Sequence, residues 1–101
     1  SVQMKLFSGL MLRYIAEVYF KIDKSKSHQA ENWIKQAIKA DRQNGMMFNL
    51  GKDYYVYSQL LKRKGEISRA KEKLIQAIDI LGECGADGWV NKYEKELKSF
   101  S

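Results

Sequence analysis

The chain repeats itself at a step of 40 residues. Gln3, Leu10, Tyr14, Lys24, Ala30, Gln36, Ala37, Ile38, Gly45 and Lys52 recur as Gln43, Leu50, Tyr54, Lys64, Ala70, Gln76, Ala77, Ile78, Gly85 and Lys92, with no gap opened between them. A step of this size belongs to stacked helical hairpins, because a hairpin alone cannot hide its apolar face and must bury it against a neighbour. Arrays of that kind present extended surfaces, so the repeat points to protein interaction as the class of function.

Length and composition agree with one small helical domain. A chain of 101 residues buries about 60% of the surface its unfolded form exposes, which allows one core and little room for a deep enclosed pocket. Hydrophobic residues at 45%, 12% of the chain being aromatic, separate it from disordered chains despite 30% charged residues. Proline is absent, and no apolar run nears the roughly 18 residues that cross a bilayer. Cys84 is the only cysteine, which rules out an intrachain disulfide, and a cytoplasmic location is expected. The opening Ser-Val-Gln, without an initiator methionine, reads as a cut inside a longer protein or as a tag remnant.

Five helical segments are expected. The first, Met4 to Ile22, places Leu12, Ile15, Ala16 and Tyr19 on one stripe by their spacing, with Arg13, Glu17 and Lys21 on the other face. Ser25 or Ser27 caps the second helix, which runs to about Arg42 with Ala30, Trp33, Ile34, Ala37 and Ile38 inward and Glu31, Lys35 and Lys39 outward. Asn44-Gly45 stops it. The third, Met46 to Lys64, buries Leu50, Tyr54, Tyr57, Ser58 and Leu61, and Gly65 makes the next turn. The fourth, Ile67 to about Leu81, repeats the second with Ala70, Leu74, Ala77, Ile78 and Leu81. Asp87 caps a fifth helix whose stripe is Trp89, Val90, Tyr93, Leu97 and Phe100. Small residues at Ala16 or Ser58, and at Ala30 and Ala37 or Ala70 and Ala77, let paired helices approach closely.

This pattern resembles the tetratricopeptide repeat. In the second repeat Tyr54, Tyr57, Ser58, Leu61, Gly65-Glu66, Ala70, Leu74 and Ala77 answer every point of the family's hairpin. In the first, Leu12, Ile15, Ala16, Tyr19, Ala30, Ile34 and Ala37 match, but the connector is two residues longer and lacks the glycine. The first helix is therefore best aligned by Ala16 rather than by Tyr14, which conflicts with the gap-free register there. The resemblance implies an all-α, right-handed superhelix of about two and a half repeats: repeat one over 9–45, repeat two over 46–85 and a closing helix over 87–100. The segment from Cys84 to Val90 further resembles the ends of helical arrays in large bacterial signalling proteins.

Residues for chemistry are few. His28 is the only histidine and is expected as an exposed first-turn residue, Cys84 as a buried or half-buried structural thiol, and Gly82, Gly85 and Gly88 as helix punctuation rather than a phosphate loop. No catalytic, metal or cofactor site is expected. The family geometry implies a peptide groove lined by the first helix of each hairpin, presenting Arg13, Glu17 and Phe20, then Lys52, Tyr55, Gln59 and Lys62, extended by Lys92 and Lys95. Lysines flanking Tyr55 suit an acidic peptide or a neighbouring domain of the same protein. Apolar residues on several sides of the first helix (Met4, Leu6, Phe7, Leu10, Met11) point to a preceding repeat or, in isolation, a second copy. A net charge of +6, with Lys62-Arg63-Lys64, Arg69, Lys71 and Lys73 around one turn, supports nucleic-acid docking as the alternative.

Overall fold

The computed structural model describes residues 2–100, with side chains described for 8–23 and 25–100. Five α-helices follow one another: α1 (Val2–Ile22), α2 (Ser27–Gln43), α3 (Met47–Arg63), α4 (Ile67–Glu83) and α5 (Asp87–Lys98), with a short 3-10 turn at Lys24–Lys26 and no strand among the described residues. Met4, Leu6 and Phe7 lie outside the described side chains.

From α2 onward the helices start 20 residues apart, at 27, 47, 67 and 87, because each is stopped by the same device. Gly45, Gly65 and Gly85 adopt φ of +69°, +85° and +73°, a left-handed conformation that a side chain would strain. Each glycine N–H donates three residues back, at 3.0–3.3 Å, and the next N–H donates to the first of the freed carbonyls: Met46 to Asp41, Glu66 to Leu61 and Ala86 to Leu81, at 2.8–3.0 Å. This Schellman arrangement satisfies the orphan carbonyls and aims the chain straight into the next helix. The α1–α2 connection has no glycine and turns differently, the Ser25 amide donating to the Asp23 carboxylate at 2.9 Å. Neither Ser25 nor Ser27 caps α2, whose N-cap is Lys26, and Ala86 rather than Asp87 precedes α5.

α1 pairs with α2 and α3 with α4, and the hairpins stack so that α1, α3 and α5 form one layer and α2 and α4 the other. The core is divided accordingly. Ala16, Ile34, Ala37, Tyr57, Leu61 and Ala70 form one cluster, and Leu50, Tyr54, Leu74, Ala77, Leu81 and Tyr93 a second. Ala16 is fully buried while Tyr14 and Val18 are more than half exposed, so the first helix follows the Ala16 alignment rather than the gap-free one. Two glycines mark the closest approach within each hairpin: a Cβ on Gly51 would stand 2.6 Å from the Leu81 side chain, and one on Gly9 would strike the Asp41 carboxylate.

Three side chains depart from the helical-wheel expectation. Glu31, expected outward, is buried, and Arg13, expected on the groove, is 8% exposed. Cys84 is exposed, because α4 continues past Gly82 and carries it to the helix end. His28 is exposed, as its first-turn position implies.

Candidate functional site

The row expected to line a groove divides between two surroundings. The α3 members hold α5 in place. Tyr55 stacks on Tyr93 with ring centroids 4.0 Å apart and planes 5° from parallel, and its hydroxyl donates to Glu96 at 2.8 Å. The Gln59 amide donates to the same carboxylate at 3.2 Å. Lys52 donates to the Tyr93 hydroxyl at 3.1 Å and places its ammonium 3.3 Å from the centre of the Trp89 ring. Burial, with the charges of Arg13 and Lys92, lowers the Lys52 pKa, while burial and Glu96 raise that of Tyr55. Lys62 lies over the Phe100 ring at 4.9 Å and Lys92 over Trp89 at 5.1 Å, and Lys95 is exposed. Helical periodicity shows which side of α3 these residues occupy; it does not show that α5 will come to lie there.

Between α1 and α3 the surface stays open. Glu17, Phe20 and Lys21 on one side and Tyr55, Val56 and Gln59 on the other enclose a cleft of about 300 Å³. Four of these six belong to the expected row, and Lys21 and Val56 are additions. Arg63 reaches over the rim, its guanidinium 4.5 Å from the Phe20 ring centre. The cleft therefore offers an aromatic and aliphatic floor with an amide and charges of both signs at its edges. Arg13 is not part of it: its guanidinium turns inward to the Asp53 carboxylate at 3.2 Å and the Asn49 carbonyl at 3.3 Å.

A second surface lies on the outer side of α1. Met11, Tyr14, Ile15, Val18 and Tyr19 line a shallow apolar depression of about 310 Å³, and Ile22 extends it with 74% of its surface exposed. Aligned by Ala16 and Ser58, Tyr14 and Val18 correspond to Val56 and Leu60 of α3. Leu60 is buried and Val56 packs against the first core cluster. The bare face of α1 is thus the face with which α3 docks on the hairpin before it.

Within the basic cluster Lys64, Arg69 and Lys73 are paired with acids, while Lys62, Arg63 and Lys71 stay exposed. Glu31 accepts from the Tyr57 hydroxyl at 2.7 Å, Lys64 at 2.9 Å and Arg69 at 3.1 Å, joining α2 to α3 and α4. Arg69 also bonds Glu66 at 2.8 Å, and Lys64 pairs with Glu66 at 3.3 Å. Burial opposes ionisation of Glu31, yet the bonds from Tyr57, Lys64 and Arg69 outweigh it and bring its pKa down to about 2. Among the described residues no group of three or more His, Cys, Asp and Glu side chains could hold a metal ion, and no helix is long and apolar enough to cross a membrane.

No family model, curated protein or solved structure matches this chain.

Proposed function

We propose that this chain is a protein-interaction module of tetratricopeptide type, a right-handed array of about two and a half repeats that holds an extended peptide or a loop of a neighbouring domain between α1 and α3. The observation that carries this reading is the cleft lined by Phe20, Tyr55 and Val56, which stays open between α1 and α3 beside the place where α5 stacks on Tyr55. Its chemistry selects an apolar anchor, seated on Phe20 and Val56, with an acidic residue beside it to meet Lys21. Main-chain N–H groups of the bound segment find an acceptor in the Gln59 side-chain carbonyl, whose NH2 group donates to Glu96. The alternative of nucleic-acid docking is less well supported, because Lys64, Arg69 and Lys73 of the basic cluster are already paired with acids, which leaves Lys62, Arg63 and Lys71 to meet a phosphate backbone.

The apolar face of α1 supports a second contact, with another helical hairpin of the same kind, since its counterpart on α3 receives one. In the isolated chain a second copy covers it.

Selection from a displayed library of random peptides tests the cleft. Enriched sequences should carry a large apolar residue next to Asp or Glu and lose binding to Phe20→Asp. Peptides that bind Phe20→Asp as well as the unchanged chain, or a library that yields no enrichment, would remove the cleft from consideration.

A further inference from the structure

The two junctions between successive repeats are built from equivalent positions and carry opposite chemistry. At the second, Tyr55 stacks on Tyr93, Tyr93 packs in one cluster with Leu81, and Leu81 fills the space that Gly51 leaves open. Stepping back one repeat turns Tyr55 into Arg13, Leu81 into Asp41, Tyr93 into Asp53 and Gly51 into Gly9. The contacts carry over with the positions: Arg13 bonds Asp53, and Gly9 leaves its space to Asp41. Two tyrosines and a leucine are thus exchanged for a cation and two acids.

The exchange leaves the first junction short of a proton donor. Asp41 and Asp53 are fully buried. Both Asp41 carboxylate oxygens and one of Asp53 have no donor, and the Arg13 guanidinium divides itself between the other Asp53 oxygen and the Asn49 carbonyl. Arg42, next in the chain to Asp41, is turned away and donates to the Tyr54 hydroxyl at 2.6 Å. The ionisable groups that face Asp53 are thus Asp41 from α2 and Arg13 from α1. Two ionised carboxylates beside one cation leave an uncompensated buried charge, which is costly; one shared proton makes the set neutral and supplies the missing O–H donor.

We propose that this junction is a releasable joint, at which α1 and α2 part from α3–α5 as a unit, held shut by a proton on Asp53 that is donated to the Asp41 carboxylate. Burial and the neighbouring Asp41 both favour protonated Asp53, in keeping with this arrangement. The second junction has no such group and stays closed. The inference does not depend on what the cleft binds, although the cleft spans the joint and would open with it.

Two measurements on the full chain test it. In urea unfolding between pH 5.5 and 8.5, the unfolding equilibrium constant of the native chain should rise with pH, by up to tenfold per unit where one proton separates the states. Asp53→Asn, whose amide donates to Asp41 without needing a proton, should flatten that rise. In deuterium exchange read by mass spectrometry at one fixed pH, α1–α2 should open more readily than α4–α5. Combining Arg13→Tyr, Asp41→Leu and Asp53→Tyr, which copies the second junction into the first, should close that gap. A pH slope unchanged in Asp53→Asn, or native exchange that is uniform across both halves, would overturn the joint; should the triple variant fail to fold, the Asp53→Asn slope decides.

Discussion

Glu31 draws donors from three side chains on two other helices, and its worth lies in what its loss would strand. Glu31→Ala would leave the buried Tyr57 hydroxyl without an acceptor, whereas Lys64 and Arg69, both partly exposed, can turn to water. We expect a loss of about 1–3 kcal/mol in urea unfolding, most of it from Tyr57. The pH dependence has a definite sign. A carboxyl whose folded pKa is about 2 contributes stability that is complete above its ordinary value of 4.5 and is lost as pH falls from there through 2. An acid titration of stability should therefore bend below pH 4.5 in the native chain and bend less in Glu31→Gln. These acids differ in how they sit on the helical stripes. Asp41 falls four residues after Ala37 and Asp53 four before Tyr57, on the buried stripes, yet the stripes read from the sequence name neither, because an acid at such a position is expected to turn to solvent. Glu31 sits beside Ala30 at the stripe's edge, where periodicity favours solvent and only the partners on α3 and α4 draw it in.

Among the elements, helix starts and stops were the most legible feature, since Gly45, Gly65 and Gly85 each end a helix by the same left-handed turn. The packing seam was legible too: Ala30, Ala37, Ala70 and Ala77 are all fully buried where the helices cross. Ala77→Leu should cost about 1–3 kcal/mol by forcing volume into that contact, read as a lowered melting temperature. The attachment of α5 was not legible, because a stripe on α3 names a face and not the neighbour that will cover it. Lys52 and Tyr55, expected to line an open groove, instead touch Tyr93, Trp89 and Glu96, while Lys62 stays exposed with its ammonium 4.9 Å from the Phe100 ring centre. Their joint replacement by alanine should unpin α5. With Trp33→Phe as background, leaving Trp89 as the only tryptophan, emission should shift to the red as that ring loses its cover.

At the scale of the molecule, the exposed side of α1 and the protonated joint govern behaviour in solution. Light scattering of the isolated chain should show a mass that rises with concentration, and Val18→Glu should return it to that of a monomer without changing helical content, since residue 18 is half exposed. The even spacing of the helices from α2 onward carries a consequence of a different kind. Each 20-residue block sends the chain to the opposite layer, so losing or gaining one block would invert the placement of every helix after it and bring inner faces out. Two blocks restore it. Length changes in this chain thus obey a parity rule: only whole pairs can be added or removed with the remaining surfaces left facing the way they do now.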